Sequence, residues 1–422
     1  MNGHKRKIDY AEDKNYSLLF CGIILAGMGI FFVYSFVVKR YLLMEYPYGD
    51  FLFYRHDVFM DFFNVNYMSE GLNPYLGYIS SYPPFILLIS YMLTLILPKH
   101  LYSLNMSMTT PGRLMYLGFF GLVTILFMVV IWNCLRKQGK VTSCINNAMV
   151  VVCCVFNAPF VLCLDRGNYL ILAVVAYMLF FYYYHKNDNM AVLFLSIAIS
   201  IKIYPALALL LFLIDKKYKK MFQCIFITGF LSLFPLIFFK GGIINNIIAF
   251  VQAVFGFGGG YEYEYMNIYF STGLNSFFRL IRRLIFGETG AEGIFSLLYV
   301  GVAVVILLFS VLLLLKEKRT YMRCLLLTIL IVFLPPMSYE YNLVYMIVPV
   351  VCLLLEEEKN KNRLVLCVML SLLLIPKSYL WLYGVPDCIS ISVLLNPMIL
   401  FGILGWCVCE KIREMLPVRR AV

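Results

Sequence analysis

The feature that most constrains this chain is a succession of apolar runs separated by short basic clusters. The first run, 17–38, is long enough to cross a bilayer, which takes about 20 apolar residues at a rise of about 1.5 Å each. Lys5, Arg6 and Lys7 precede it and no small-residue cleavage site follows. It therefore reads as a retained helix with a cytoplasmic N-terminal side. With 62% hydrophobic and 14% charged residues and a mean hydropathy of +0.84, the chain lacks the charge that a soluble surface needs. It reads as an all-α polytopic membrane protein, one integral domain over 1–422. The formal net charge of +12 is then topological, with the basic clusters marking cytoplasmic loops, and nucleic acid is not an expected partner. The 13 cysteines lie mostly inside apolar runs and the chain has only 4 histidines, so they read as buried thiols, with no metal site and no cofactor expected.

Charge asymmetry orders the rest. Residues 40–113 form a first outer loop, in which the apolar piece 85–99 is short for a crossing and reads as interfacial. Spans at 114–135, 145–164 and 169–184 follow. The run 190–214 is interrupted by Lys202 and Pro205 and has basic or polar ends on both sides. It reads as a re-entrant hairpin with Lys202 at its outer tip, the alternative being a single crossing that would invert every later loop. Span 221–239 leads to a second outer loop, 240–293, whose Gly258, Gly259 and Gly260 suggest a flap and whose Arg279, Arg282 and Arg283 suit donor or headgroup contacts. Span 294–315 returns, a hairpin carries Pro335 to Asn342 at its tip, and the runs 364–375 and 388–409 complete roughly 10–12 crossing or re-entrant helices.

This topology gathers polar groups at one membrane face: Asp57 with Asp61 at i, i+4, Asp165 with Arg166, Lys202, and Tyr339 with Glu340. Charges at the membrane edge are costly, so a cluster of them marks a candidate site. A lipid-linked sugar phosphate fits its chemistry. Cationic Lys202, Arg166 or the arginines at 279–283 can hold the phosphate, and a carboxylate can take the proton of an incoming hydroxyl. Tyr54, Phe62, Phe63 and Tyr82 offer ring faces to a sugar. The residue pattern alone does not separate Asp57 from Asp61. Nor does it separate transfer from a flippase, transporter or polymerase of lipid-linked saccharides, which would line a path with the same charges. Walker, GxGxxG and HExxH motifs are missing from the sequence.

Asp57 followed by Asn73-Pro74-Tyr75 and Tyr82-Pro83-Pro84, then Asp165-Arg166-Gly167-Asn168 and Lys202-Ile203-Tyr204-Pro205, resembles glycosyltransferase family 87 in order and spacing. The resemblance implies a GT-C-type fold with interfacial helices on the outer face. It also implies an inverting, polyprenyl-phosphate-sugar-dependent hexosyltransferase, mannosyltransferase-like, acting on a lipid- or glycan-linked acceptor outside a bacterial plasma membrane. By the same resemblance Asp57 aligns with the catalytic base and Asp61 is left as a possible second acid. Arg166 and Lys202 fall in the motifs assigned here to the donor phosphate. Tyr54, Asn73, Tyr75, Tyr82, Asp165, Asn168, Tyr204, Tyr339 and Glu340 are the candidate sugar or acceptor contacts. Tyr341 stands where the family often carries a histidine, which leaves mannose specificity and the role of that position open.

Overall fold

A computed structural model describes residues 2–44, 52, 58–96, 109–136, 143–264, 271–287, 291–355, 363–382 and 389–415. Tyr54 and Asp57 lie outside the described residues. Those described are overwhelmingly helical, with two isolated β-bridges, Ser271 to Tyr339 and Trp381 to Ser390, in place of any strand. Among the described residues, five segments are long and apolar enough to cross a membrane. They are residues Tyr16–Tyr41 of α1 (Asn2–Tyr41), α4 (Thr110–Arg136), α10 (Tyr218–Leu233) extended to Ile237, α13 (Glu292–Lys316) and α17 (Ser392–Met415). The stretch expected as the first outer loop carries two short helices, α2 (Met60–Ser69) and α3 (Pro84–Thr94), and α3 falls in the apolar piece too brief to span.

The run expected as one span at 145–164 is bent by 47° into α5 (Ser143–Cys154) and α6 (Ala158–Arg166). Asn157 makes the break. Its Nδ2 donates to the carbonyls of Val152 at 3.0 Å and Cys153 at 2.7 Å, while its Oδ1 accepts from Phe160 N–H at 3.0 Å. One side chain thus serves the end of one helix and the start of the next, and Pro159 fits the first turn, where no amide is needed.

The centre of the bundle is built from shorter helices: α7 (Leu170–Tyr183), α8 (Asp188–Ile201), α9 (Leu209–Ile214), α14 (Thr320–Phe333), α15 (Ile347–Leu355) and α16 (Arg363–Leu374). Residues Tyr321 to Phe333 of α14 are buried without interruption. A helix apolar on every side belongs in the interior rather than against lipid. By contrast α10 and α13 leave Phe222, Phe226, Leu297, Val305 and Leu308 exposed, as an outer ring facing lipid would.

A set of charged contacts marks one end of the bundle. There Lys217 Nζ meets Asp188 at 2.7 Å, Tyr184 donates to Asp215 at 2.7 Å, Arg323 pairs with Asp215 at 2.9 Å, and Arg319 bridges Glu317 at 2.8 Å and Glu414 at 2.7 Å. Arg363 lies over the Tyr321 ring at 5.9 Å. The Lys217 to Asp188 pair joins the start of α8 to the residues just past α9, so the run 190–214 leaves and returns at one face. That is the hairpin, with Lys202 at its far tip.

The second outer loop differs from expectation. Gly258, Gly259 and Gly260 lie within a continuous helix, α11 (Ile243–Glu264), and do not form a flap. The arginines sit on α12 (Leu274–Phe286), tethered through Asn275 Nδ2 to Pro336 O at 3.2 Å and through the preceding Ser271 and Thr272 to Ser338 O.

Candidate active site

The site is assembled by the turn between α6 and α7. Asn168 N–H donates to Cys163 O at 2.9 Å and Gly167 N–H to Leu164 O at 3.0 Å, the bonding of a helix end that needs a left-handed residue. Gly167 supplies it with φ of 67°. A Cβ here would lie 2.8 Å from Phe62 Cβ and 3.2 Å from a ring carbon of Tyr116, so the glycine also lets α2 approach. Asn168 then faces two ways. Its Oδ1 accepts from Leu170 N–H at 3.0 Å, opening α7, and its Nδ2 donates to Asp61 Oδ2 at 2.7 Å.

A second clasp precedes α2. Phe59 N–H donates to Asp165 O at 2.6 Å, and the Phe59 ring stacks on Tyr116 at 3.7 Å. Phe59 has φ of 62°, a strained conformation for a bulky residue that these contacts hold in place two residues beyond Asp57. Tyr116 in turn donates to Leu164 O. Residues 59–61 are therefore held to the Asp165-Arg166-Gly167-Asn168 turn by two hydrogen bonds, Phe59 N–H to Asp165 O and Asn168 Nδ2 to Asp61 Oδ2. Asp165 is itself buried, with Oδ2 3.6 Å from Nε of neighbouring Arg166, which is half-buried.

The hairpin tip brings in the cation. Lys202 ends α8 in an extended conformation, and Pro205 starts the short 3-10 helix Tyr204–Ala208 that leads into α9. Its Nζ lies 5.3 Å over the Tyr82 ring and feels the charge of Asp61, and among the described residues it makes no hydrogen bond or ion pair. Tyr82 is positioned from behind, because Tyr75 donates to Tyr82 O at 2.9 Å. The Tyr75 ring is buried against Phe239 and Phe250 at 5.9 and 5.4 Å. The Asn73-Pro74-Tyr75 turn is thus a support, with Gly77 N–H on Asn73 O at 3.2 Å and Ser80 N–H on Pro74 O at 3.1 Å.

The third wall is the tip of the α14–α15 hairpin. Tyr339 and Tyr341 stack at 5.6 Å, and Tyr341 shares the electrostatic environment of Asp61 and Tyr82. Asp61, Lys202 and Tyr341 are each surrounded by protein yet keep part of their surface accessible, as side chains lining a deep recess do. Burial pushes the Asp61 carboxyl above the usual carboxylate range, against the Asn168 hydrogen bond and the Lys202 charge, which favour the ionised form.

Of the residues singled out in the sequence, the structure brings together Asp61, Tyr82, Asn168, Lys202 and Tyr339, with Asp165 and Arg166 on the adjoining turn and Tyr204 beside Lys202. Glu340 turns the other way. Its carboxylate accepts from Ser378 and is buried toward Ser392 and Asn396. Next to Ser378, Lys377 Nζ donates to the carbonyls of Leu372 at 2.6 Å, Ile375 at 2.9 Å and Leu373 at 3.4 Å, closing the end of α16. Burial pulls the Lys377 ammonium down to about 8, opposed by Glu340. Lys377 escaped the sequence reading, although a lysine after Pro376 at the end of an apolar run is a helix-end signal. Of the arginines, Arg282 pairs with Glu292 at 3.8 Å.

The family model of glycosyltransferase family 87 matches residues 80–336, well over half of the 422-residue chain. The chain belongs to glycosyltransferase family 87. No curated protein matches it. The matched region of this family 87 membrane glycosyltransferase contains the Asp165-Arg166-Gly167-Asn168 turn, Lys202 and Tyr82, and begins after the carboxylates of α2 and its approach. A sugar donor and an acceptor are accordingly its substrates.

Proposed function

We propose that this enzyme transfers a hexosyl group, mannose being the first candidate, from a polyprenyl-phosphate donor to a hydroxyl of a lipid- or glycan-linked acceptor. The reaction takes place on the extracytoplasmic face of a bacterial plasma membrane. The observation that carries this reading is the Lys202 ammonium, held deep in an aromatic recess with no hydrogen-bond partner among the described residues. A cation so placed is costly without an anionic ligand, and a lipid phosphate at the membrane edge is the anion this position meets. The sidedness is supported by the basic residues, since Lys186, Lys216, Lys217, Lys219, Lys220, Lys316, Lys318 and Arg319 collect at the opposite end.

In the reaction the acceptor oxygen bonds to the anomeric carbon as the bond from that carbon to the phosphate oxygen breaks, which inverts the centre. Asp57 accepts the hydroxyl proton as general base, and the electron pair leaves with the lipid phosphate. Lys202, with Arg166 on the adjoining turn, stabilises that growing charge. Tyr82 and the stacked Tyr339 and Tyr341 present ring faces to the sugar. The test is transfer of labelled sugar from a polyprenyl-phosphate donor in proteoliposomes. Asp57→Asn is expected to lose about a hundredfold or more in rate. Transfer at the wild-type rate would remove Asp57 as the base.

A further inference from the structure

Lys202 Nζ lies 5.3 Å over the Tyr82 ring and Asp61 is bound by Asn168 at 2.7 Å; the two charges act on each other, and no ion pair joins them among the described residues, so the recess holds a cation and a separately fixed anion. The carboxylate is not free to swing away. Its Oδ2 is gripped by Asn168 Nδ2 at 2.7 Å, and Asn168 is gripped in turn by the first amide of α7 at 3.0 Å. Among the described residues, Cys163 and Tyr341 also share its electrostatic environment, and neither carries a charge at neutral pH.

With a lipid phosphate as the anion at Lys202, the reading on which this inference rests, the chemistry of transfer sets a problem of product release. The donor is a phosphodiester with one negative charge. Its product is a phosphomonoester, which takes a second charge with a pKa near about 6. A cation acting alone holds the more highly charged species tighter, so spent lipid phosphate would compete with fresh donor. A fixed negative charge in the same recess costs a dianion more than a monoanion.

We propose that Asp61 is a specificity-determining residue that discriminates against the dianionic lipid-phosphate product, letting the singly charged donor displace it from Lys202. It acts by charge from a position beside the phosphate and takes no proton in the transfer. The carboxylate and the ammonium are thus a matched pair, one drawing the phosphate in and the other setting how much charge it is allowed to bring.

The test is equilibrium binding of farnesyl phosphate and of its monomethyl ester to the full-length protein in phosphatidylcholine nanodiscs at pH 8, where the monoester is mostly dianionic. The wild type is expected to bind the monoester no more than about threefold tighter than the methyl ester. Asp61→Asn retains an acceptor for Asn168 and is expected to tighten monoester binding about tenfold while leaving the methyl ester within about threefold. An unchanged ratio in Asp61→Asn overturns the proposal, as does a wild type that already prefers the dianion about tenfold. If the variant does not fold, the wild-type ratio alone decides. Lys202→Met is the separate arm. If it binds both ligands as the wild type does, the lipid-phosphate reading itself fails. If it weakens both while the Asp61 ratio stays fixed, only the discrimination is lost.

Discussion

Replacing Gly167 by alanine tests how the site is held together. Two costs act there. Its φ of 67° disfavours any Cβ by about 1–2 kcal/mol, and the new atom would sit 2.8 Å from Phe62 Cβ, an overpacking cost of about 1–3 kcal/mol. Phe62 cannot relieve the contact by changing rotamer, because the atom struck is its own Cβ, fixed by the backbone of α2. The comparison is Gly71→Ala. Gly71 has φ of 73° but nothing within 4 Å of the added atom, so only the conformational cost of about 1–2 kcal/mol applies. Thermal unfolding of the two variants in nanodiscs, beside the wild type, reads the difference. Gly167→Ala is expected to unfold at clearly lower temperature than Gly71→Ala. It is also expected to lose transfer activity even below its unfolding temperature, because α2 and Asp61 must shift to admit the methyl group. Equal unfolding temperatures, or a fully active Gly167→Ala, would refute the docking of this turn on α2. Phe62→Ala in the Gly167→Ala background is expected to give no rescue, since it leaves the colliding atom in place.

Three further outcomes are expected. Tyr75→Phe removes the hydroxyl that donates to the Tyr82 carbonyl and should cost about 1 kcal/mol of stability, with donor KM rising more than kcat falls because Tyr82 and Lys202 lose part of their backing. Asn157→Ala removes the side chain that serves both α5 and α6 and should destabilise the fold by about 1–2 kcal/mol, measured by thermal unfolding. Burial alone would raise the Glu317 carboxyl, but hydrogen bonds and charge from Arg319, with Lys411, hold it at about 2. Its folded value lies below its ordinary one, so its contribution to stability is complete above the ordinary carboxylate range and is lost as pH falls through that range toward about 2. Unfolding of Glu317→Gln should therefore depend less on pH than that of the wild type in that acid window.

The sequence made the membrane scaffold legible because the length and apolarity of a run report directly on whether it can cross. The hairpin at Lys202 followed from the same logic, since a lysine and a proline inside an apolar run with charge at both ends leave few other solutions. What escaped was local. Asn157 lies inside an uninterrupted apolar run, and only the Asn-Ala-Pro order signals that the helix restarts there. Three consecutive glycines read as a flap, yet helix α11 runs through them, because backbone propensity is a weak prior once a segment is part of a packed chain. Glu340 sits between two site tyrosines in sequence, but neighbouring side chains at a hairpin tip point in different directions, and its carboxylate belongs to Ser378. Asp61 stands at i, i+4 from Asp57 in the sequence, but α2 begins only at Met60, and spacing could not reveal that Asn168, far along the chain, would hold Asp61.

The role of Lys202 is tested most directly by single-turnover transfer of labelled sugar from a polyprenyl-phosphate donor in proteoliposomes, comparing wild type with Lys202→Met. Sugar is expected to reach the acceptor with the wild type, and the rate to fall by about a hundredfold or more when the ammonium is removed. Transfer that survives Lys202→Met at the wild-type rate would contradict a phosphate-holding role, as would labelled donor crossing the bilayer with no sugar transferred.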